Sequence, residues 1–294
     1  MTAATITSCC LVGVEPTAVR VEAHVTSGRP TFSLVGLPDT AVREAKERVR
    51  AAITSSGHPF PSGRVTVNLS PADVPKAGSA YDLPIALGVL AASRCIPHRP
   101  LTALGELGLD GTVRDVRGGL AAALVARREG TTCLLPAGAA AETSGRDDLV
   151  VRVVGSLAQA AAVLAGSEPG DTVPVRRPCA DPVVPDLAEV RGQRAARRAL
   201  EIAAAGGHHL LRRGSPGCGK TMLARALPGI LPPLDDGQAQ GSILIWAAAG
   251  LDRGDPRVAP FRSPHHSLSL AALIGGGSGV IAPGEAVLAH NGVL

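Results

Sequence analysis

The stretch Gly214-Ser215-Pro216-Gly217-Cys218-Gly219-Lys220-Thr221 fits the phosphate-loop pattern G-x-x-x-x-G-K-[ST] at every specified position. Its three glycines, Gly214, Gly217 and Gly219, free the backbone to turn so that successive N–H groups point inward at the β- and γ-phosphates of a nucleotide. A helix beginning near Lys220 would direct its positive end at the same anion. Lys220 adds a mobile point charge, and the Thr221 hydroxyl can ligate the magnesium that accompanies the nucleotide. The ligand read from this segment is a nucleoside triphosphate with its Mg2+, with Ser215, Pro216 and Cys218 as the intervening residues of the cradle. Upstream, His209-Leu210-Leu211 reads as a strand feeding the loop, and strand, loop, helix is the context that gives the motif its meaning. Arg212 and Arg213 sit awkwardly at the end of that strand, because charge in a buried central strand is costly unless paired or at its mouth.

Hydrolysis needs an acidic residue at the end of a later apolar strand to hold magnesium and align water. The acids after Thr221 are Asp235, Asp236, Asp252, Asp255 and Glu285, and none closes a run of four or more apolar residues. A last candidate strand begins at Gly292-Val293-Leu294.

At 294 residues and 45% apolar content the chain can bury two cores. Only three Phe, one Tyr and one Trp are present, so those cores are built of Ala, Val and Leu. The same scarcity argues against stacking platforms for single-stranded nucleic acid. A formal charge of +4 permits contact with DNA without requiring it. The six cysteines show no C-x-x-C spacing and the N-terminal residues have no leader pattern, so reduced thiols and a cytoplasmic location are expected. No apolar run is long enough to span a membrane.

Residues 168–186 carry five prolines and no periodic pattern, which reads as a semi-rigid linker between a domain at 1–167 and another at 187–294. In the first domain, Val19 to Val25, Phe32 to Val35 and Val65 to Leu69 read as strands, mixed with helices in an α+β arrangement. The clearest helix opens at Asp39-Thr40 as cap and buries Val42, Ala45, Val49, Ala52 and Ile53 along one stripe. Its other face pairs Glu44 with Arg48 and Arg43 with Glu47, and reads as a solvated face in preference to a nucleic-acid patch. In the second domain, Glu189 to Gln193 opens a helix that runs through Ala195 to Ala205.

Several long strings resemble the magnesium-chelatase-like AAA+ ATPases of the ComM/YifB type. They are LVGLPDTAVREAKERVRAAI (34–53), VTVNLSPADVPKAGSAYDLPIALGVLAAS (65–93), LGELGLDGTVRDVRGGL (104–120), VRGQRAARRALEIAAAGGHHLL (190–211), GSPGCGKTMLARALPGILPPL (214–234), FRSPHHSLSLAALIGGG (261–277) and PGEAVLAHNGVL (283–294). The resemblance implies an α+β Lon-protease-like N-terminal domain followed by an incomplete α/β P-loop (AAA+) domain. Lon-type peptidases use a Ser–Lys dyad, and Ala80 and Ala121 stand where that serine and lysine align. A domain without peptidase activity, serving as scaffold or partner-binding module, is therefore implied. Ser79 and Lys76 are neighbours of the wrong spacing for a substitute dyad.

For the second domain the resemblance implies ATP and magnesium on Gly214 to Thr221, with Val190, Gly192 and Gln193 beside the adenine. It further implies a homo-oligomeric ring that hydrolyses ATP between subunits, and DNA as a partner in recombination-linked processing. Two departures stand out. GQAQGSILIWAAA replaces the charged helical sequence expected within 235–249, and the chain stops at Leu294, where the family continues into its acidic strand. The expectation is a chain that binds nucleotide, hydrolyses it poorly or not at all, and packs its P-loop half loosely. A chelatase motor subunit is the enzymatic alternative, and an interaction module using only the Lon-like domain is the non-enzymatic one.

His208-His209, His265-His266 and His290 invite a metal reading. Adjacent residues on a strand point to opposite faces, so structural or polar-contact roles are favoured. Cys218 reads as a tolerated small residue of the loop, with a redox-sensitive thiol as its rival.

Overall fold

In the computed structural model, residues 2–36, 39–74, 76, 78–174, 184–276 and 282–294 are described. The chain divides into two compact units, Met1–Arg176 and Arg177–Leu294.

The first unit is organised by period-2 alternation. Two long strands, β1 (Thr2–Val12) and β2 (Glu15–Thr26), pair antiparallel in a hairpin from Thr2↔Val25 to Val12↔Glu15. On β2, Val19, Val21 and Ala23 are buried while Arg20, Glu22 and His24 between them are not. The strands β3 (Thr31–Val35) and β4 (Arg64–Ser70) lie parallel to each other, and β4 runs antiparallel to β2 with Val65, Val67 and Leu69 buried. On the other side, β5 (Leu101–Ala103) joins β1 in parallel. A small antiparallel ribbon, β6 (Glu106–Leu107) with β7 (Val113–Arg114), follows it. Then β8 (Thr132–Leu135) and β9 (Val151–Val153) extend the sheet in parallel. The seven-stranded order is β3-β4-β2-β1-β5-β8-β9. Of its three later strands, β5 and β8 are short and almost wholly buried, as expected where both faces are covered, while β9 alternates, with Arg152 exposed between Val151 and Val153.

Helices α1 (Thr40–Ser55), α2 (Asp82–Ala92), α3 (Gly119–Glu129), α4 (Ala137–Ala141) and α5 (Leu157–Ala165) complete this unit. For α1 the sequence reading holds: Asp39 Oδ1 accepts from Val42 N at 2.7 Å, and Val42, Ala45, Val49, Ala52 and Ile53 are all fully buried. Of its surface pairs, Glu44 and Arg48 stand 4.0 Å apart, while the Arg43 side chain lies outside the described residues. Arg48 turns instead to Asp82 at the start of α2, Nε to Oδ2 at 2.6 Å and Nη2 to Oδ1 at 3.0 Å. Every residue of α2 is buried, so a carboxylate there is held only because a bidentate guanidinium and the Leu107 N–H (3.3 Å) face it. Burial pushes the Asp82 carboxyl up, and Arg48 pulls it back down.

The second unit contains α6 (Arg194–Gly206), α7 (Lys220–Ala226), α8 (Asp236–Ala248), α9 (Leu270–Ile274) and α10 (Glu285–Leu288). Strands β10 (Gly275–Gly276) and β11 (Ala282–Pro283) form a two-residue ribbon. The strand expected at His209-Leu210-Leu211 does not form. These residues adopt no regular structure, Leu211 is 80% exposed, and no described strand lies beside them to complete a ladder. An extended segment becomes a strand only when a neighbour takes its N–H and C=O groups. The P-loop half of the expected α/β fold thus has its loop and helices, without a central sheet among the described residues. Val293 does pair, in a single parallel bridge with Phe261. The stretch that departs from the family pattern becomes α8, capped reciprocally by Asp235 and Gln238.

Candidate phosphate-binding loop

Asp186 caps the short 3-10 turn Leu187–Glu189, accepting from Ala188 N at 2.8 Å. That turn buries Leu187 and Val190 against Leu200 of α6 and against Leu223 and Ala226 of α7. Val190, expected beside the adenine, lies in this small core at 2% exposure. The chain then bends sharply at Gly192 (φ 73°) and Gln193 (φ 49°), and Gln193 becomes the N-terminal flank of α6. A non-glycine residue in the left-handed region is uncommon and strained, which makes the position worth attention.

The Gln193 side chain reaches the loop: Nε2 donates to Cys218 O at 2.7 Å. Arg212 holds the other end, with Nη1 donating to Lys220 O at 2.8 Å. Between these contacts Gly217 (φ 78°) and Gly219 (φ 76°) take the conformation that only glycine adopts without strain, and a Cβ on Gly219 would stand 3.1 Å from Gln193 Nε2. Lys220 opens α7 and folds over the loop, its Nζ 2.9 Å from Gly214 O, 2.7 Å from Ser215 O and 3.6 Å from Cys218 Sγ. Thr221 follows in the first turn with its side chain exposed.

A cavity of about 330 Å³ adjoins the loop, lined by Gln193, Leu210, Arg212, Arg213, Cys218 and Lys220 among others. Three cations and no carboxylate face it. Arg212 and Arg213, awkward for a buried strand, are thus reconciled with their surroundings, since the segment is exposed and its charges border a cleft. The residues present fit a magnesium nucleotide: a glycine-shaped backbone cradle, an ammonium held by carbonyls that phosphate oxygens could replace, and a free hydroxyl one residue on.

Sequence reasoning placed Gln193 beside the adenine, and the structure also ties it to the loop backbone. The signal was present as a polar residue after a glycine, but the bond joins residues 25 apart and spacing does not reveal it. Loss of one such bond is worth about 1 kcal/mol. Gln193→Gly, which keeps the left-handed backbone without strain, should therefore weaken nucleotide binding by up to about fivefold and lower stability by no more than about 1 kcal/mol, as read by equilibrium titration and a thermal melt.

The later acids are engaged elsewhere. Asp235 caps α8, Asp236 pairs with Arg257 at 2.7 Å, and Glu285 takes the Arg262 fork with two contacts of 2.5 Å that hold its carboxyl below the ordinary range. Trp246 lies between Arg253 and Arg262, whose guanidinium carbons stand 5.2 and 5.4 Å from its ring centre. Among the described residues no group of three His, Cys, Asp or Glu side chains could hold a metal. His265 and His266 occupy a turn, not a strand, and their rings stack 4.1 Å apart instead of pointing to opposite faces. In the first unit, Lys76 is fully buried and donates to Pro71 O, while Ser79 donates to a Glu106 carboxylate oxygen, so the two do not meet as a dyad. Burial pulls the Lys76 ammonium down and pushes the Cys9 and Cys133 thiols up. Cys179 lies outside the described residues. No described helix is long and apolar enough to cross a membrane.

Residues 21–139 match the family described as "Subunit ChlI of Mg-chelatase", and residues 186–294, which include the loop, match "Magnesium chelatase, subunit ChlI". The chain is 46% identical over 296 residues to an uncharacterized protein of Mycobacterium tuberculosis, covering 96% of this chain and 58% of that protein. It is 44% identical over 289 residues to YifB of Salmonella typhimurium, covering 96% and 57%. To the competence protein ComM of Haemophilus influenzae it is 39% identical over 311 residues, covering 100% and 60%. The chain thus spans somewhat over half the length of these relatives, and it belongs to the Mg-chelatase-like family that includes YifB and ComM.

Proposed function

We propose that this chain binds MgATP through Gly214 to Thr221 and serves as the nucleotide-binding part of a cytoplasmic DNA-processing motor. Lys220 would contact the β- and γ-phosphates, the Thr221 hydroxyl would ligate magnesium, and the backbone of Ser215 to Gly219 would cradle the phosphates. Gln193, with Gly192 beside it, would hold the loop in shape. The observation that carries this reading is a cavity bordered by three cations and no carboxylate, at a loop whose Gly217 and Gly219 adopt positive φ. Membership of the family supports it, and the printed name of the Haemophilus relative, a competence protein, supports the DNA side of it. Assembly into a ring follows from the family resemblance alone.

The first unit is read as a Lon-like scaffold without peptidase activity, with Ala80 and Ala121 in place of the nucleophile and base. Turnover of ATP by these 294 residues should be slow, because the acids after the loop are committed to caps and ion pairs or close no apolar strand. Titrating the full chain with a fluorescent ATP analogue and magnesium should show saturable binding, with phosphate release near background. Absence of binding would leave the scaffold reading of the first unit standing alone, and robust DNA-stimulated hydrolysis would refute the slow-turnover claim.

A further inference from the structure

One end of the first unit's sheet is lined by cations. Two clefts adjoin there and share Phe60, Pro61 and Gly63. The larger, about 830 Å³, runs from the turn Thr26 to Gly28 across to Arg94 and Cys95 at the end of α2. The smaller, about 160 Å³, is bordered by the start of β3 and by Lys46 and Arg50 of α1. Arg29 adjoins the turn and Arg64 follows Gly63, so five cations surround the 59–63 loop. None of the five makes an ion pair among the described residues, and Glu47 is the one carboxylate lining either cleft. Elsewhere in the unit Arg20, Arg114 and Arg127 do face carboxylates, those of Glu129, Glu106 and Asp148.

Arg94 adds a second observation. It follows α2 at φ 61°, where glycine is the usual residue, with Cys95 N bonding back to Leu90 O at 3.0 Å. A long basic side chain is thus kept at a strained position on the rim of the cleft. A helix C-terminus favours a cation there as well, so this observation gains weight only beside the other four.

We infer that this end of the sheet is a docking surface for the phosphate backbone of duplex nucleic acid. Unpaired cations spaced around a shallow opening match a ladder of phosphates, which is what sequence-independent affinity rests on. A single strand is disfavoured because the aromatic side chain at the clefts, Phe60, is half-buried and already covered by Arg50 at 5.2 Å and by Phe32 at 5.6 Å between ring centres. A membrane surface is disfavoured because the large exposed apolar side chains, such as Val12, Leu109 and Val150, lie outside these clefts. The inference names a DNA-contacting surface for the proposed motor and does not depend on nucleotide binding.

Fluorescence anisotropy of the full chain with a labelled duplex of about 30 base pairs, across about 50 to 200 mM salt, tests it. Arg64→Ala with Arg94→Asn, which keeps a residue tolerant of positive φ, should weaken binding at least tenfold at low salt. The slope of log affinity against log salt should fall by about 1.8, the value for two lost phosphate contacts. Arg117→Ala with Arg152→Ala removes the same charge from exposed positions elsewhere and should leave the slope near that of the parent. Equal losses in both variants, no loss in the first, or binding of anionic vesicles in place of duplex would each overturn the inference. Loss of nucleotide binding in Lys220→Ala with duplex affinity intact would separate this surface from the phosphate loop.

Discussion

Replacing Lys220 by alanine should weaken MgATP binding by about 100-fold while leaving the melting temperature of the free protein unchanged. The ammonium makes no packing contribution that the fold depends on: its partners are two loop carbonyls and a thiol within eight residues of sequence. On binding it would exchange neutral carbonyl acceptors for anionic phosphate oxygens, and hydrogen bonds to charged groups contribute about 1.5–3 kcal/mol each. Alanine forfeits that difference, which corresponds to one to two decades in affinity. Lys220→Arg would retain the charge, but its planar fork does not reproduce a compact ammonium inside the loop and should restore only part of the affinity. Titration of parent and both variants under one buffer reads the effect directly, and an unchanged affinity in Lys220→Ala would place the nucleotide elsewhere.

The second large effect is on stability. Arg48→Ala should destabilise the first unit by about 3 kcal/mol near neutral pH, because it strands the fully buried Asp82 carboxylate with only the Leu107 N–H as a donor. For a unit of this size that corresponds to a fall of about 10 °C in melting temperature. The loss should shrink on acidification. Asp82 already has a folded pKa raised by burial, and removing Arg48 removes the main influence pulling it down. An acid with a raised folded pKa has its stabilising effect in full below its unfolded value and loses it as pH rises through the folded one. The variant should therefore approach the parent as the pH falls toward about 4, the ordinary carboxyl range. Asp82→Leu combined with Arg48→Met should recover most of the stability at all pH values, since apolar residues of similar volume can replace a buried pair. A melt of Arg48→Ala that matches the parent at pH 7 and above would show that the pair contributes nothing.

What the sequence made legible was local. The α1 stripe and its Asp39 cap, the alternation of β2 and β4, and the glycine turn that leads into α7 at Lys220 each depend on spacings within one element, and each can be read without its neighbours. The rest depends on contacts between distant segments. Arg48 was read as one member of a surface i,i+4 pair, yet its nearest acid is 34 residues away, because the start of α2 carries a buried carboxylate that competes more strongly. Gln193 was read as a nucleotide contact when its amide also braces the loop. The segment His209-Leu210-Leu211 has strand propensity without a strand's partner, so propensity alone was insufficient. The cations at the sheet end come from a turn, a helix, a strand and a helix terminus, and no window of the sequence brings them together.

A crystal structure of the full chain with a non-hydrolysable ATP analogue and magnesium decides whether Gly214 to Thr221 hold the nucleotide. In it Lys220 Nζ should be withdrawn from the carbonyls of Gly214 and Ser215 and placed on the β- and γ-phosphates, with Thr221 on the metal and Gln193 still bonded to Cys218 O. Analogue bound at another site, or the loop unchanged with Lys220 on its own carbonyls at saturating ligand, would contradict that assignment.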